Sequence, residues 1–161
     1  MESAPLGERG VFRGVSTLSV DDKGRIAIPK KYRDDLLESF GSQLIVTIDT
    51  DRCLLLYPLP AWREIETQLT ALSAFNKVTR SLQRLYVGHA TGVEMDGQGR
   101  LLLPAELRQF ASLNGRVVLV GQGKKFEIWD EETWNRQRDV WLDVADLENA
   151  ELPPELQGFS L

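Results

Sequence analysis

Apolar and polar residues alternate in two well-separated stretches of this chain. Leu18 and Val20 alternate with Thr17, Ser19 and Asp21, and Val93 and Met95 alternate with Gly92, Glu94 and Asp96. A period of two predicts a half-buried strand in each. Both strands run into Asp-x-x-Gly, at residues 21–24 and 96–99. That spacing reads as a tight turn, because Asp favours the first position of a type I turn and Gly the left-handed position that follows. Beyond it, Ile26 and Ile28 match Leu101 and Leu103 on the inner face of a second strand, so Arg25 and Arg100 point outward beside the turn. Pro29 and Pro104 end these strands and suit the first turn of a short helix. Tyr32 with Leu36, and Leu107 with Ala111, give each helix one apolar face.

The repetition extends further. Residues 44–58 match residues 116–130 as strand, polar turn and strand, and Trp62 matches Trp134, all at an offset of 72 after an offset of 75 in the first part. Each copy is a unit of about 45 residues, too small to bury both faces of its hairpins alone, whereas two together make a core. Between the copies, Trp62, Ile65, Leu69 and Leu72, and then Phe75, Val78, Leu82 and Leu85, fall at helical spacing. A break near Ser73 and Asn76 separates the two helices. The predicted fold is mainly β with short helices, a duplicated α+β architecture. Its divisions are a disordered lead-in at 1–10, a first module at 11–60, a helical connector at 61–87, a second module at 88–134 and an acidic tail at 135–161.

Charge changes this picture only through its distribution. The formal net charge is −5, but residues 130–161 hold nine acids and two arginines, leaving 17 bases against 15 acids in the rest. A body with basic spots and an acidic tail is compatible with DNA. Arg13, Lys23, Arg25, Lys30, Lys31, Arg33 and Arg100 are the candidate DNA contacts, and Asp21, Gly24, Asp96 and Gly99 order the two turns. The first motif has the more basic surroundings in sequence: Lys23, Lys30, Lys31 and Arg33, against Gln98, Ala105, Glu106 and Arg108. The first motif is therefore expected to dominate.

The inventory argues against catalysis. His89 is the only histidine and Cys53 the only cysteine, and no Cys-x-x-Cys, His-Glu-x-x-His or Gly-x-Ser-x-Gly occurs. Residues 121–125, Gly-Gln-Gly-Lys-Lys, lack the spacing and the Ser/Thr of a phosphate loop. No catalytic residue, cofactor, metal or small-molecule substrate is expected. The N-terminal residues lack the apolar stretch of a secretory signal, no stretch is long enough to cross a bilayer, and the single cysteine fits a reducing cytoplasm.

The segments VFRGVSTLSVDDKGRIAIPKKYR, FNKVTRSLQRLYVGHA, DGQGRLLLPAELR and VVLVGQGKKFEIWD together resemble the MraZ family of bacterial transcriptional regulators. The resemblance implies two AbrB-type swapped-hairpin modules in one chain, closing as an interleaved β-barrel. It also implies ring-like homo-oligomers on double-stranded promoter DNA with spaced direct repeats. The target implied is the division and cell-wall gene cluster, including the protein's own promoter, repressed in the cytoplasm at the nucleoid. The family's Asp-x-x-x-Arg motif falls on Asp21 to Arg25 and on Asp96 to Arg100. The alternative is an antitoxin-like module that holds a protein partner with its acidic tail.

Overall fold

In the computed structural model, which describes residues 11–144 and 153–158, strands pair between the repeats as well as within them. The elements are β1 (Phe12–Ser19), β2 (Arg25–Ala27), α1 (Lys30–Phe40), β3 (Gln43–Ile48), β4 (Leu54–Pro58), α2 (Leu59–Ala71), α3 (Lys77–Leu82), β5 (Thr91–Glu94), β6 (Arg100–Leu102), α4 (Ala105–Phe110), β7 (Arg116–Gly123), β8 (Phe126–Asp130) and α5 (Glu131–Val144). One antiparallel sheet has the order β1-β7-β8-β4-β3-β5, and β2 and β6 form a separate two-stranded ribbon. β1 of the first repeat lies on β7 of the second, and β5 of the second lies on β3 of the first. This is the duplicated, mainly antiparallel α+β fold expected from the repeat, with its strands exchanged.

The exchange is symmetric. Ile26 faces Leu101 in the ribbon and Leu55 faces Glu127 between β4 and β8, so each residue stands opposite its own counterpart. An approximate two-fold axis therefore runs through both pairs. The same symmetry carries the pair Leu18–Val117 onto Val93–Leu44. That correspondence corrects the sequence alignment. Pro58 pairs with Leu44 whereas Asp130 pairs with Val117, so the counterpart of Leu44 is Val117 and not Arg116. The loop of the second hairpin is one residue shorter, and an ungapped comparison pushes that deletion upstream of β7.

The core fills the space under the sheet with alternate residues of each strand. Leu44, Val46 and Ile48 of β3 and Val117 and Leu119 of β7 are fully or almost fully buried. Removing each such side chain from water contributes about 1.5–3 kcal/mol. Phe12 stacks on Phe126 at 4.4 Å between centroids and meets Tyr32 edge-on at 6.2 Å. The Tyr32 hydroxyl donates to the Arg13 carbonyl, which satisfies its polar end.

The connector forms its two helices. Asn76 caps α3 by accepting from the Val78 and Thr79 amides at 2.8 and 3.3 Å. A π-helical turn, Gln83–Val87, follows α3, and the Gln83 amide clips it to the Leu69 carbonyl at 2.8 Å. The helical period is thus realised, but its burial is uneven: Trp62 is buried against Tyr57, whereas Phe75 is 97% exposed and Val78 67%. Residues from Glu132 onward form a separate unit, in which the Trp134 and Trp141 rings meet edge-on at 5.3 Å. The lead-in at 1–10 lies outside the described residues, as do 145–152 and 159–161 of the acidic tail.

Candidate nucleic-acid interface

Both Asp-x-x-Gly-Arg segments are closed by the same set of bonds. The Gly24 amide donates to the Asp21 carbonyl at 3.0 Å and the Gly99 amide to the Asp96 carbonyl at 2.9 Å. The Asp21 carboxylate accepts the Lys23 and Arg25 amides through Oδ1, at 2.9 and 2.8 Å, and takes Arg25 Nε on Oδ2 at 2.7 Å. Asp96 does the same with the Gln98 and Arg100 amides and with Arg100 Nε, each at 2.9 Å. Gly24 and Gly99 sit at φ of 87° and 76°, where a side chain would be strained. Both strand-to-strand connections are therefore tight turns, although the strands flanking each turn pair with other partners.

These bonds favour the charged carboxylate. The Arg25 amide, then the Arg25 side chain and the Lys23 amide, hold Asp21 down at about 2 against partial desolvation. Asp96 is lowered for the same reasons, with the Arg100 amide foremost. Within each guanidinium, Nε is the engaged group among the described residues. Among the described residues neither Arg25 nor Arg100 has a hydrogen-bond partner for its terminal NH2 groups. Those two groups are the end-on fork that fits a planar pair of acceptors. One aspartate orders the turn and aims the arginine without occupying it.

The two arginines share one surface. In the ribbon, Arg25 pairs with Leu102, Ile26 with Leu101 and Ala27 with Arg100. Two more bonds lengthen it, from the Ile28 amide to the Gly99 carbonyl at 2.8 Å and from the Leu103 amide to the Gly24 carbonyl at 3.0 Å. Ile26, Ile28, Leu101 and Leu103 point into the core. Arg25, Ala27, Arg100 and Leu102 consequently occupy the outer face, where Arg25 and Arg100 are diagonal neighbours about 7–8 Å apart. Nothing in the local pattern of either motif says which strand β2 will meet.

The exchange also crosses the helices over. A Cβ built on Gly99 would lie 2.8 Å from Arg33 Nη2 of α1, and one on Gly24 would lie 2.6 Å from Arg108 Nε of α4. The Arg33 side chain donates to the Ile28 carbonyl at 3.1 Å and Arg108 to the Leu103 carbonyl at 3.0 Å. Arg33, a candidate DNA contact, is half-buried in this role, and its Nε is buried without a partner. Lys30 lies three residues before Arg33, on the same side of α1. Because Ile28 is bonded to Gly99 and Leu103 to Gly24, Lys30 starts α1 at the end of the ribbon that holds the Arg100 turn, and Ala105 starts α4 at the end that holds the Arg25 turn. Each arginine thus has one lysine near it: Lys23 on the turn of Arg25, and Lys30 on the helix packed against the turn of Arg100.

Arg13 and Lys31 lie away from the ribbon. The Lys31 ammonium lies 4.8 Å from the Tyr32 ring centroid and next to Gly14, whose neighbour Arg13 receives the Tyr32 bond. Gly14 precedes the end of β1 by five residues, or about 17 Å of strand. Both side chains are exposed, but Arg13, next to Gly14 in β1, projects from the opposite face of the strand to the one Lys31 lies against.

One cluster has no sequence signature. The donor atoms of Asp49, Cys53 and Glu127 lie within 4.8 Å of one another. Tyr86 donates to Asp49 at 3.0 Å, and Trp129 donates to Glu127 at 3.0 Å. Burial, reinforced by Glu127 and Asp49, pushes the Cys53 thiol far up, and burial raises Glu127 as well. The cluster joins a hairpin loop of one repeat to a strand of the other, so spacing along the chain cannot reveal it.

A family model described as "MraZ protein, putative antitoxin-like" matches residues 11–85 and again 86–149. The chain belongs to the MraZ family. The "Transcriptional regulator MraZ" of Methylococcus capsulatus is 56% identical over 151 residues, covering 93% of this chain and 99% of that protein. The protein of the same name from Nitrosospira multiformis is 54% identical, covering 94% of this chain and all of the relative. That from Coxiella burnetii is 47% identical over 152 residues. A transcriptional regulator is not a class of enzyme. No described helix is long and apolar enough to cross a membrane.

Proposed function

We propose that this chain is a sequence-specific DNA-binding transcriptional regulator that works from the cytoplasm at the nucleoid. The observation that carries the reading is the outer face of the ribbon, where Arg25 and Arg100 are each held through Nε with both NH2 groups unengaged. An arginine so aimed fits the O6/N7 edge of guanine in the major groove. Lys23, Lys30, Arg13 and Lys31 contact phosphates and set affinity and its salt dependence. Arg33 and Arg108 act as struts between turns and helices.

In this reading residues 11–60 and 88–134 are the two modules, 61–87 the connector and 135–161 the tail. Copies of the chain close into a ring that engages spaced direct repeats, represses the division and cell-wall gene cluster and acts on its own promoter. The exposed Phe75 and Val78 support association between copies. Several heads on one ring raise avidity by about 10²–10⁴ over a single head, which offsets the negative net charge of each subunit. A gel-shift of the pure protein on the DNA upstream of its own gene tests the reading. Retarded bands that survive excess unrelated DNA are expected, and their absence from a folded sample rejects it. A protein-binding role through the tail has one observation in its favour, the exposed Val140 and Leu142 on α5. Operator binding that survives removal of residues 142–161 favours the regulator.

A further inference from the structure

The outer face of the ribbon carries four side chains, and the two-fold axis exchanges them in pairs. Arg25 exchanges with Arg100, and Ala27 with Leu102. The arginines are alike under that exchange, so they cannot tell one orientation on DNA from the other. A direct repeat has no two-fold axis of its own. A head that binds it in one direction therefore needs a difference between its halves. Lys23 against Gln98 is one difference, but it lies on the turns and meets phosphates, which carry no sequence information. The difference on the reading face itself is Leu102, 55% exposed, against the single methyl of Ala27.

We infer that Leu102 is a specificity-determining residue: it packs on the 5-methyl group of a thymine and fixes which way the ribbon lies on its site. This rests on the DNA-binding reading above. Leucine has no donor or acceptor, and the one apolar group that a base pair shows in the major groove is the thymine methyl. Flanked by Arg25 across the strand and Arg100 along it, Leu102 is placed to touch the base step between two arginine contacts. Losing one buried methyl corresponds to about four-fold in affinity for each head.

The test starts from duplexes that the full-length protein enriches from a random pool. The best duplex is remade with each thymine in turn replaced by deoxyuridine, which removes the methyl and nothing else. The wild type is expected to bind about four-fold more weakly when one particular thymine of a repeat is changed. Leu102→Ala, whose side chain is exposed and whose folding is checked by circular dichroism, is expected to ignore that change. Ala27→Leu is expected to create a second sensitive thymine on the other side of the arginine contacts. Equal binding of every deoxyuridine duplex by the wild type overturns the inference, as does sensitivity that persists in Leu102→Ala. Either result leaves operator-specific binding standing. Failure to enrich any duplex rejects the DNA-binding reading and this inference with it.

Discussion

The guanidinium of Arg33 occupies the space that a side chain on Gly99 would need, although the two residues belong to different repeats. The symmetric contact places Arg108 over Gly24. Each turn is thus fastened to the helix of the opposite copy, and the bond from Arg33 to the Ile28 carbonyl ties the same side chain back to the ribbon. The exchange thereby ties both turns and the ribbon to the two helices.

Gly99→Ala is expected to destabilise the fold by about 1–3 kcal/mol, through the strained positive φ and the displaced guanidinium. In an Arg33→Ala background the same substitution should cost less, because only the φ strain remains. Urea unfolding of the four proteins gives the coupling. Strict additivity would mean that Arg33 does not rest on Gly99.

Acid should release the first turn at an unusually low pH. Asp21 is held at about 2 against an ordinary 3.8, so its contribution to stability is complete above the ordinary value and is lost as pH falls from there through about 2. Carboxyl NMR should show a midpoint near 2. In Arg25→Ala the midpoint should rise only in part, because the amide of residue 25, the largest cause, is kept. A wild-type midpoint at the ordinary value would contradict the turn geometry.

Glu127 should behave in the opposite sense. Its carboxyl is raised by burial, so the stability it contributes is present in acid and is lost as pH rises through its folded value. Glu127→Gln keeps an acceptor for Trp129 and removes the charge near Asp49 and Asp51. A higher melting temperature at pH 7, with the advantage shrinking toward pH 4, is the expected result. An unchanged or lower temperature at pH 7 would show that the charge is compensated.

The two lysines should be told apart from the arginines by salt. Lys23→Ala and Lys30→Ala are each expected to weaken binding on all sequences and to flatten the salt dependence by about one unit per engaged head. A loss confined to the operator, with the slope unchanged, would assign them to base contacts instead.

Much of this was legible in the chain. The alternation at 17–21 and 92–96 gave the strands, and Asp-x-x-Gly-Arg gave both turns with their outward arginines. Periodicity names the face of a strand but not its neighbour, so the pairing of β2 with β6 and the joining of Arg25 to Arg100 stayed hidden. Arg33 looks like surface charge in sequence because its contact, Gly99, is a residue without a side chain in the other copy. Lys30 was assigned to the first turn by adjacency, whereas the exchange puts it at the second. The cluster of Asp49, Cys53 and Glu127 lies across the junction of two repeats and has no local spacing to betray it.

The proposed reading head joins the two motifs. It is tested most directly by operator affinity of Arg25→Ala, Arg100→Ala and the double variant at one salt concentration. Circular dichroism and light scattering must confirm that each stays folded and assembled. The local sequence favours the first motif, but the shared ribbon face changes that expectation: each single change should cost about 1–3 kcal/mol of operator discrimination, with comparable losses for the two and a larger loss in the double variant. A folded Arg100→Ala that binds its operator like the wild type, with Arg25→Ala carrying the whole loss, would contradict it.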